Sequence, residues 1–292
     1  MSDALGRENM NRTTPTVVTA FCAMLLSHAY AEWRFDGETG AFYDSNLSNA
    51  DRSSDVRDDW AWKSDVSVNN GFQLTRDLRL NIAGDLRGEL WDRFGSFNEI
   101  GLGALAGLRY RFGLGRQAPW VMLENRFGYD RFQDTERSGY DEEIGLRSGI
   151  SLSDRVALEA GYSFENYAVP DTFYDRQAHH GSVRVIIDPT SFLRVAVGYD
   201  YREGDVISYA APPRPDIRRL SVEEREDDAT FGSDPLFTAY KLLGQTHSVS
   251  ISAAYVLNQY ASVEVDYEYA VTIHDPLQYE NNLVAAKVLF TY

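Results

Sequence analysis

Charged side chains recur at every second position in several segments of the chain. Between 78 and 92, Arg79, Asp85, Arg87 and Glu89 alternate with Leu78, Leu80, Ile82, Leu86 and Leu90. Between 261 and 273, Glu264, Asp266 and Glu268 alternate with Val263, Val265, Tyr267, Tyr269 and Val271. Side chains two apart share a face of an extended strand, so each segment has one ionic and one apolar face. The same alternation places Arg109, Arg111, Glu124, Arg126, Arg147, Glu159, Arg184 and Asp200 on the ionic face of other segments. Rows of charge lining a passage select solutes by their field, and rows of both signs also pair and narrow it. Arg109 and Arg111 on one segment against Glu264, Asp266 and Glu268 on another suggest a field running across the passage. Gly101, Gly103 and Gly107 share the ionic face of their own segment and are expected to leave space there.

Two other chemistries compete for the charged and polar residues. His179, His180, His247 and His274 fall near one set of segment ends, and His180 shares a face with Ser182. Acyl transfer needs a Ser or Thr nucleophile, a His base and a third group that orients it. No local spacing joins such a set, so polar rim residues are the plainer reading. The acidic run Glu223-Glu-Arg-Glu-Asp-Asp228 offers carboxylate oxygens but lacks the spacing of a calcium loop, and reads as a solvated face. Asp227 and Asp228 at a lipopolysaccharide surface would be placed to bridge divalent ions. No cofactor and no metal are implied.

The elements that position these residues are strands. From Glu32 onward the period is two, with Gly, Pro, Asn and Asp clusters between segments. Twelve strands are predicted, at about 32–46, 58–70, 78–92, 98–112, 120–133, 141–152, 156–168, 180–188, 192–204, 245–257, 261–273 and 282–292, each long enough to cross a bilayer when tilted. Short links, such as Ser153–Arg155 and Asn258–Tyr260, interleave with longer ones near 47–57, 93–97, 134–140, 169–179, 205–244 and 274–281. That rhythm fits the short periplasmic turns and longer outer loops of membrane barrels, with both termini on the short-turn side. The segment 205–244 is expected to be one long outer loop, standing as a surface loop, a lid, or a constriction folded into the lumen. Ser221 and Glu224 have capping-box spacing, so a short helix is predicted to begin there.

Aromatic residues close the strands at both ends: Tyr129, Phe164, Tyr199 and Tyr267 at one, Tyr110, Phe112, Phe290 and Tyr292 at the other. Two belts of this kind mark where lipid meets water. A soluble sandwich or barrel would turn the apolar rows inward, so the direction of those rows decides between the readings. The fold expected is all-β, a transmembrane antiparallel up-and-down β-barrel of about twelve strands.

Composition agrees. The hydrophobic fraction of 43% with 18 Tyr, 15 Phe and 5 Trp is too apolar for disorder. A formal charge of −16 argues against nucleic acid as a partner. The stretch Val17–Leu26 followed by Ala29-Tyr-Ala31 reads as the apolar core and cleavage site of an export signal. Residues 1–31 are therefore assigned to a signal peptide and 32–292 to the barrel, with Met10 the better start for the signal. Cys22, the one cysteine of the chain, lies inside that signal, which leaves the mature barrel no thiol chemistry.

The segment Gly40-Ala-Phe-Tyr-Asp-Ser-Asn-Leu-Ser-Asn-Ala50 and the ending Asn281-Asn-Leu-Val-Ala-Ala-Lys-Val-Leu-Phe-Thr-Tyr292 resemble the opening and closing strands of a broad group of bacterial outer-membrane β-barrels. That group includes the barrels of surface lipoprotein assembly modifiers and of exopolysaccharide systems. The resemblance implies a Gram-negative cell outer membrane, contact with membrane lipid and lipopolysaccharide, and insertion by the barrel-assembly machinery through the last strand. The expected function is a narrow passive channel or solute-binding pore for small solutes, porin-like and not an enzyme. A non-conducting structural or export-accessory barrel and a lipid-modifying barrel enzyme are the alternatives.

Overall fold

A computed structural model describes residues 33–292 apart from Asp171 and Asp234; the predicted signal, its Met10 start and Cys22 lie outside the described residues. The strands are β1 (Arg34–Asp44), β2 (Asp59–Gln73), β3 (Leu78–Trp91), β4 (Glu99–Arg111), β5 (Trp120–Phe132), β6 (Gly139–Ser151), β7 (Val156–Ala168), β8 (Arg176–Ile187), β9 (Leu193–Ala210), β10 (Glu223–Asp228), β11 (Phe237–Asn258), β12 (Ala261–His274) and β13 (Leu277–Thr291). Consecutive strands pair antiparallel from β1 to β9, β9 pairs with β11, and β13 returns to β1. The ring is thus closed by twelve strands, and β10 is a short flap on β11.

Closure is what lipid demands: each backbone polar group in hydrocarbon needs a partner, and a closed sheet has no edge. Following the register once around from Arg34 passes through Asn69, Arg126 and Gly204 to Leu277, and extending the β1–β13 register returns to Ala50, sixteen positions up the chain. A stagger of that size over twelve strands corresponds to a strand tilt of about 45°.

The apolar rows face outward. Leu90, Leu102, Leu123, Leu146, Val249 and Val265 are each 50–63% exposed, and they belong to a band that runs around the whole ring. Water-soluble monomers rarely expose a continuous apolar surface of that extent. The belts are present as well. Tyr110 and Phe112 meet edge to face at 4.9 Å near the short turns, where Tyr260 also lies beside Tyr292; Tyr129 and Tyr140 meet at 5.0 Å near the other end. No described helix is long and apolar enough to cross a membrane; the chain crosses with strands.

The end opposite the termini departs from the sequence expectation. Strands β9 and β11 continue past the expected limits in unbroken register from Tyr255↔Leu193 to Thr238↔Ala210, so the loop spans 211–236 rather than 205–244. Strand β8 starts at Arg176, and the link expected at 274–281 shrinks to Asp275-Pro276 because β12 and β13 stay paired up to His274↔Leu277. The helix expected at Ser221 is absent. A single turn, α1 (Pro215–Arg218), forms earlier, where Pro215 takes the first helical position, and Glu224 pairs with Arg218 while its own segment runs as β10.

The β9–β11 extension is buried on both faces. Tyr209, Phe237 and Ala239 on one face and Ala210, Tyr240 and Leu242 on the other are all at most 2% exposed. The first face packs against Phe94 and Phe97 of the β3–β4 link, Phe132, Val169, Phe173 and Tyr174 of the next two, Phe231 of the long loop and Leu47 of the first loop. The second packs against Ile217 of α1 and Leu277. Loops rooted all around the ring meet on one ribbon only if that ribbon lies over the mouth, so the outer end is roofed. Loop 45–58 is laced to it, with Tyr209 N donating to Ser48 O (3.0 Å) and Ser208 Oγ to Asn49 O (2.7 Å).

Arg137 ties the roof together. Its guanidinium donates to Tyr209 Oη (2.6 Å) and Thr230 Oγ1 (2.7 Å) and lies 4.2 Å from the Tyr174 ring centre, while Tyr174 donates to Asp228 (2.9 Å). Burial and the neighbouring acid hold the Tyr174 hydroxyl protonated, its pKa pushed far up. On the second face Arg214 pairs with Asp51 and Asp216, and the Arg214 hydrogen bond holds Asp216 down to about 2, so that carboxylate stays ionised through mild acid.

Two outcomes test this arrangement. Leu146→Arg puts a charge on the lipid face near mid-strand and is expected to cost about 2–4 kcal/mol in urea unfolding from lipid vesicles. Arg137→Ala strands buried hydroxyls, and hydrogen exchange should rise at 134–138, 173–174 and 228–231 while β1 to β7 keep their protection.

Candidate functional site

The ionic faces point into the ring. Cross-strand register puts all of Arg79, Asp85, Arg87, Arg109, Arg111, Glu124, Arg126, Arg147, Glu159, Arg184, Asp200, Glu264, Asp266 and Glu268 on the parity opposite to the exposed apolar rows. They are not spread evenly.

On the β3–β6 wall they form a knot. Arg87 Nη2 reaches Asp130 (2.9 Å) and Asp141 (3.4 Å), and Arg126 spans Asp141 (2.6 Å) and Asp85 (2.9 Å). The long guanidinium arms cross β4 where it has no side chains. A Cβ on Gly101 would overlap the Asp130 carboxylate, and one on Gly103 would sit 2.5 Å from Asp85 Oδ1 and 2.7 Å from Arg126 Nη2. The space expected at Gly101 and Gly103 is therefore filled by neighbouring ions, and a Cβ on Gly107 would sit 3.3 Å from Met122 Sδ. Such a pairing is costly to break from one side, because the remaining buried charge is left without a partner.

Elsewhere the charges pair more simply. Arg147 bonds Glu124 (2.7 Å), Lys63 bonds Glu89 (2.9 Å) with its ammonium 4.0 Å over Phe42, and Lys287 serves Glu264 (3.0 Å), Asp266 (3.2 Å) and Glu38 (3.6 Å). Arg109 and Arg111 do not meet the β12 acids. Arg109 stands directly opposite Arg79 and lies 4.3 Å over Trp120, leaving a basic patch near the short turns of β3 and β4, across the ring from Glu264, Asp266 and Glu268.

With β3–β6 occupied, the open volume is eccentric. A cavity of about 510 Å³ lies against β8, β9, β11, β12, β13 and β1, lined by Lys63, Arg184, Asp200, Ser250, Glu264 and Lys287 among others. It shares Arg194 with two hollows of about 760 and 730 Å³ at the short-turn mouth, so the three lie next to one another along the barrel. Toward the other side stands the roof.

The histidines separate. His179 and His247 lie on the outward parity, each with Nδ1 2.7 Å from a tyrosine hydroxyl, Tyr162 and Tyr199, in the aromatic belt. His274 Nδ1 contacts Leu243 O, and inward His180 bonds Glu165 at 2.9 Å. Among the described residues no histidine is hydrogen-bonded to a Ser or Thr hydroxyl, and no group of three or more His, Cys, Asp or Glu is arranged to hold a metal. The roof residues Arg137, Tyr209 and Arg214 and the lumen residues Gly198 and Ser250 were not singled out by the sequence. The one available signal was the run Phe237-Thr-Ala-Tyr-Lys-Leu-Leu243, whose apolar residues fall on both parities, as in a strand buried on both faces.

No protein-family model matches the sequence, and no curated protein is significantly similar to it. Among solved structures, the COG4313 outer membrane channel from Pseudomonas putida F1 overlays with a TM-score of 0.59 at 10% identity, over 90% of this chain and 98% of that one. The NanC porin gives 0.47 at 8% identity over 87% and 98%, and the CymD monoaromatic hydrocarbon channel gives 0.46 at 9% over 89% of each. The first likeness establishes the fold. Joined to the outward apolar belt, it makes the chain a closed antiparallel β-barrel with the surface of one that spans a membrane.

Gly101→Val is expected to break the Arg87–Asp130 bridge and lower the temperature at which the folded band disappears in unheated-versus-heated electrophoresis. The same change at Gly181, where a Cβ meets no atom within 4 Å, should leave that temperature nearly unmoved.

Proposed function

We propose that this barrel is a narrow passive channel for small polar solutes, with the inward charges named above as its lining. The observation that carries the reading is the mid-barrel cavity of about 510 Å³, walled by ions of both signs and bordered at Arg194 by the hollows of the short-turn mouth. A barrel of twelve strands is wide enough for an off-centre path even with one wall filled by ion pairs. Mixed charge in a confined path favours solutes that bring their own polar groups and disfavours apolar ones. The roof makes the path intermittent, conducting when the ribbon and its loops part.

The remaining partners follow from location. Lipid and lipopolysaccharide would contact the outward face, the barrel-assembly machinery would engage the C-terminal strand ending in Phe290 and Tyr292, and residues 1–31 would serve export and be removed. The reading calls for no cofactor and no enzymatic step. A second reading, a non-conducting barrel accessory to export, is favoured by the roof alone.

Planar-bilayer recording separates the two. The channel reading expects small, flickering currents from the intact barrel. It expects larger and steadier ones when 211–236 is replaced by a short Gly-Ser turn joining Ala210 to Phe237. Folded protein of both forms that passes no current would establish the non-conducting reading instead.

A further inference from the structure

One corner of the lumen cavity is built differently from the rest. Of the lysines and arginines that line it, Lys63, Arg194 and Lys287 each hold a carboxylate within 4 Å, at Glu89, Asp188 and Glu264. Among the described residues the Arg184 side chain forms no ion pair or hydrogen bond, and neither does that of Asp200. Yet the two converge on one spot: the position a Cβ would take on Gly198 lies 3.7 Å from Arg184 Nε, 3.6 Å from Asp200 Oδ2 and 2.6 Å from Ser250 Oγ. Gly198 supplies bare backbone where a donor, an acceptor and a hydroxyl face the same open volume. Register sets Gly198 directly between Arg184 and Ser250, and Ser250 directly opposite Glu268, so a second carboxylate borders the acceptor side.

We infer that this corner is a subsite for small zwitterionic solutes of the α-amino acid class, with the carboxylate toward Arg184 and Ser250 and the ammonium toward Asp200 and Glu268. The inference rests on the channel reading and names its solute. A lone anion entering the cavity meets Glu38, Asp200, Glu264, Asp266 and Glu268, and a lone cation meets the unpaired Arg184. A solute carrying both charges one carbon apart satisfies both unpaired groups at once, and charge-assisted hydrogen bonds are the strong ones. Ile186, Ala196, Leu283 and Ala285 line the same cavity and provide an apolar surface for a short side chain.

The test is uptake by proteoliposomes of three solutes of one size: radiolabelled L-alanine, L-lactate and uncharged lactamide. The subsite predicts that alanine enters fastest. Arg184→Gln and Asp200→Asn should each slow alanine by about tenfold, the equivalent of one lost charged hydrogen bond, and leave lactamide nearly unchanged. The exchange of both charges, Arg184→Asp with Asp200→Arg, should restore the preference for alanine, with the solute turned around. If lactamide matches alanine in the unaltered protein, or if the single variants slow all three solutes alike, the zwitterion subsite is overturned and the channel stands. If none of the three enters through folded protein, the channel reading fails and the subsite falls with it.

Discussion

Every feature of this chain follows from the need to satisfy backbone hydrogen bonds where there is no water. In hydrocarbon an unpaired N–H or C=O costs several kcal/mol, so a chain that crosses with strands must close them into a ring. Pairing of β13 with β1 removes the two edges that twelve consecutively paired strands would otherwise leave. Once the ring is closed, the period of two has only one arrangement compatible with lipid: Leu, Val and Tyr outside, Arg, Asp and Glu within.

Charges confined to the inside create the second constraint. Ions crowded around a narrow lumen are stable when each has a partner, and the pairing decides where space remains. Arg87 and Arg126 draw Asp85, Asp130 and Asp141 together across the glycines of β4 and fill that wall. The opposite side carries serine, glycine and alanine on β9 and β11, and there the cavity opens. The path is thus eccentric because the ion pairs are unevenly placed. The roof adds a third layer, in which a ribbon buried on both faces gathers the loops around Arg137.

The barrel was readable in the sequence because lipid requires apolar side chains on the membrane-spanning part of one face. Segments such as 78–92 and 261–273 alternate cleanly, and the aromatic residues at their ends mark the interfaces. What could not be read shares one physical cause, the absence of that rule. The ribbon at 208–210 and 237–242 lies outside the membrane and is buried on both sides, so its apolar residues do not alternate and the segment reads as a loop. Gly101 and Gly103 read as gaps because sequence does not show how far an arginine on β3 or β5 reaches across its neighbours. The inward direction of the charged set was legible; which members pair, and that Arg184 and Asp200 do not, depended on register. Of the four histidines weighed as bases, His179 and His247 fall by parity among the tyrosines of the aromatic belt.

The account stands on the two faces of each strand meeting different solvents, and labelling along β11 measures that most directly. With Cys22 replaced by Ser, single cysteines at Val249, Ser250, Ile251, Ser252 and Ala253 would be exposed in lipid vesicles to a charged, membrane-impermeant maleimide. The barrel predicts labelling at 250 and 252 and protection at 249, 251 and 253. Labelling of the odd positions with protection of the even ones would place the apolar rows in water and the charged rows in a closed interior, and would contradict the account.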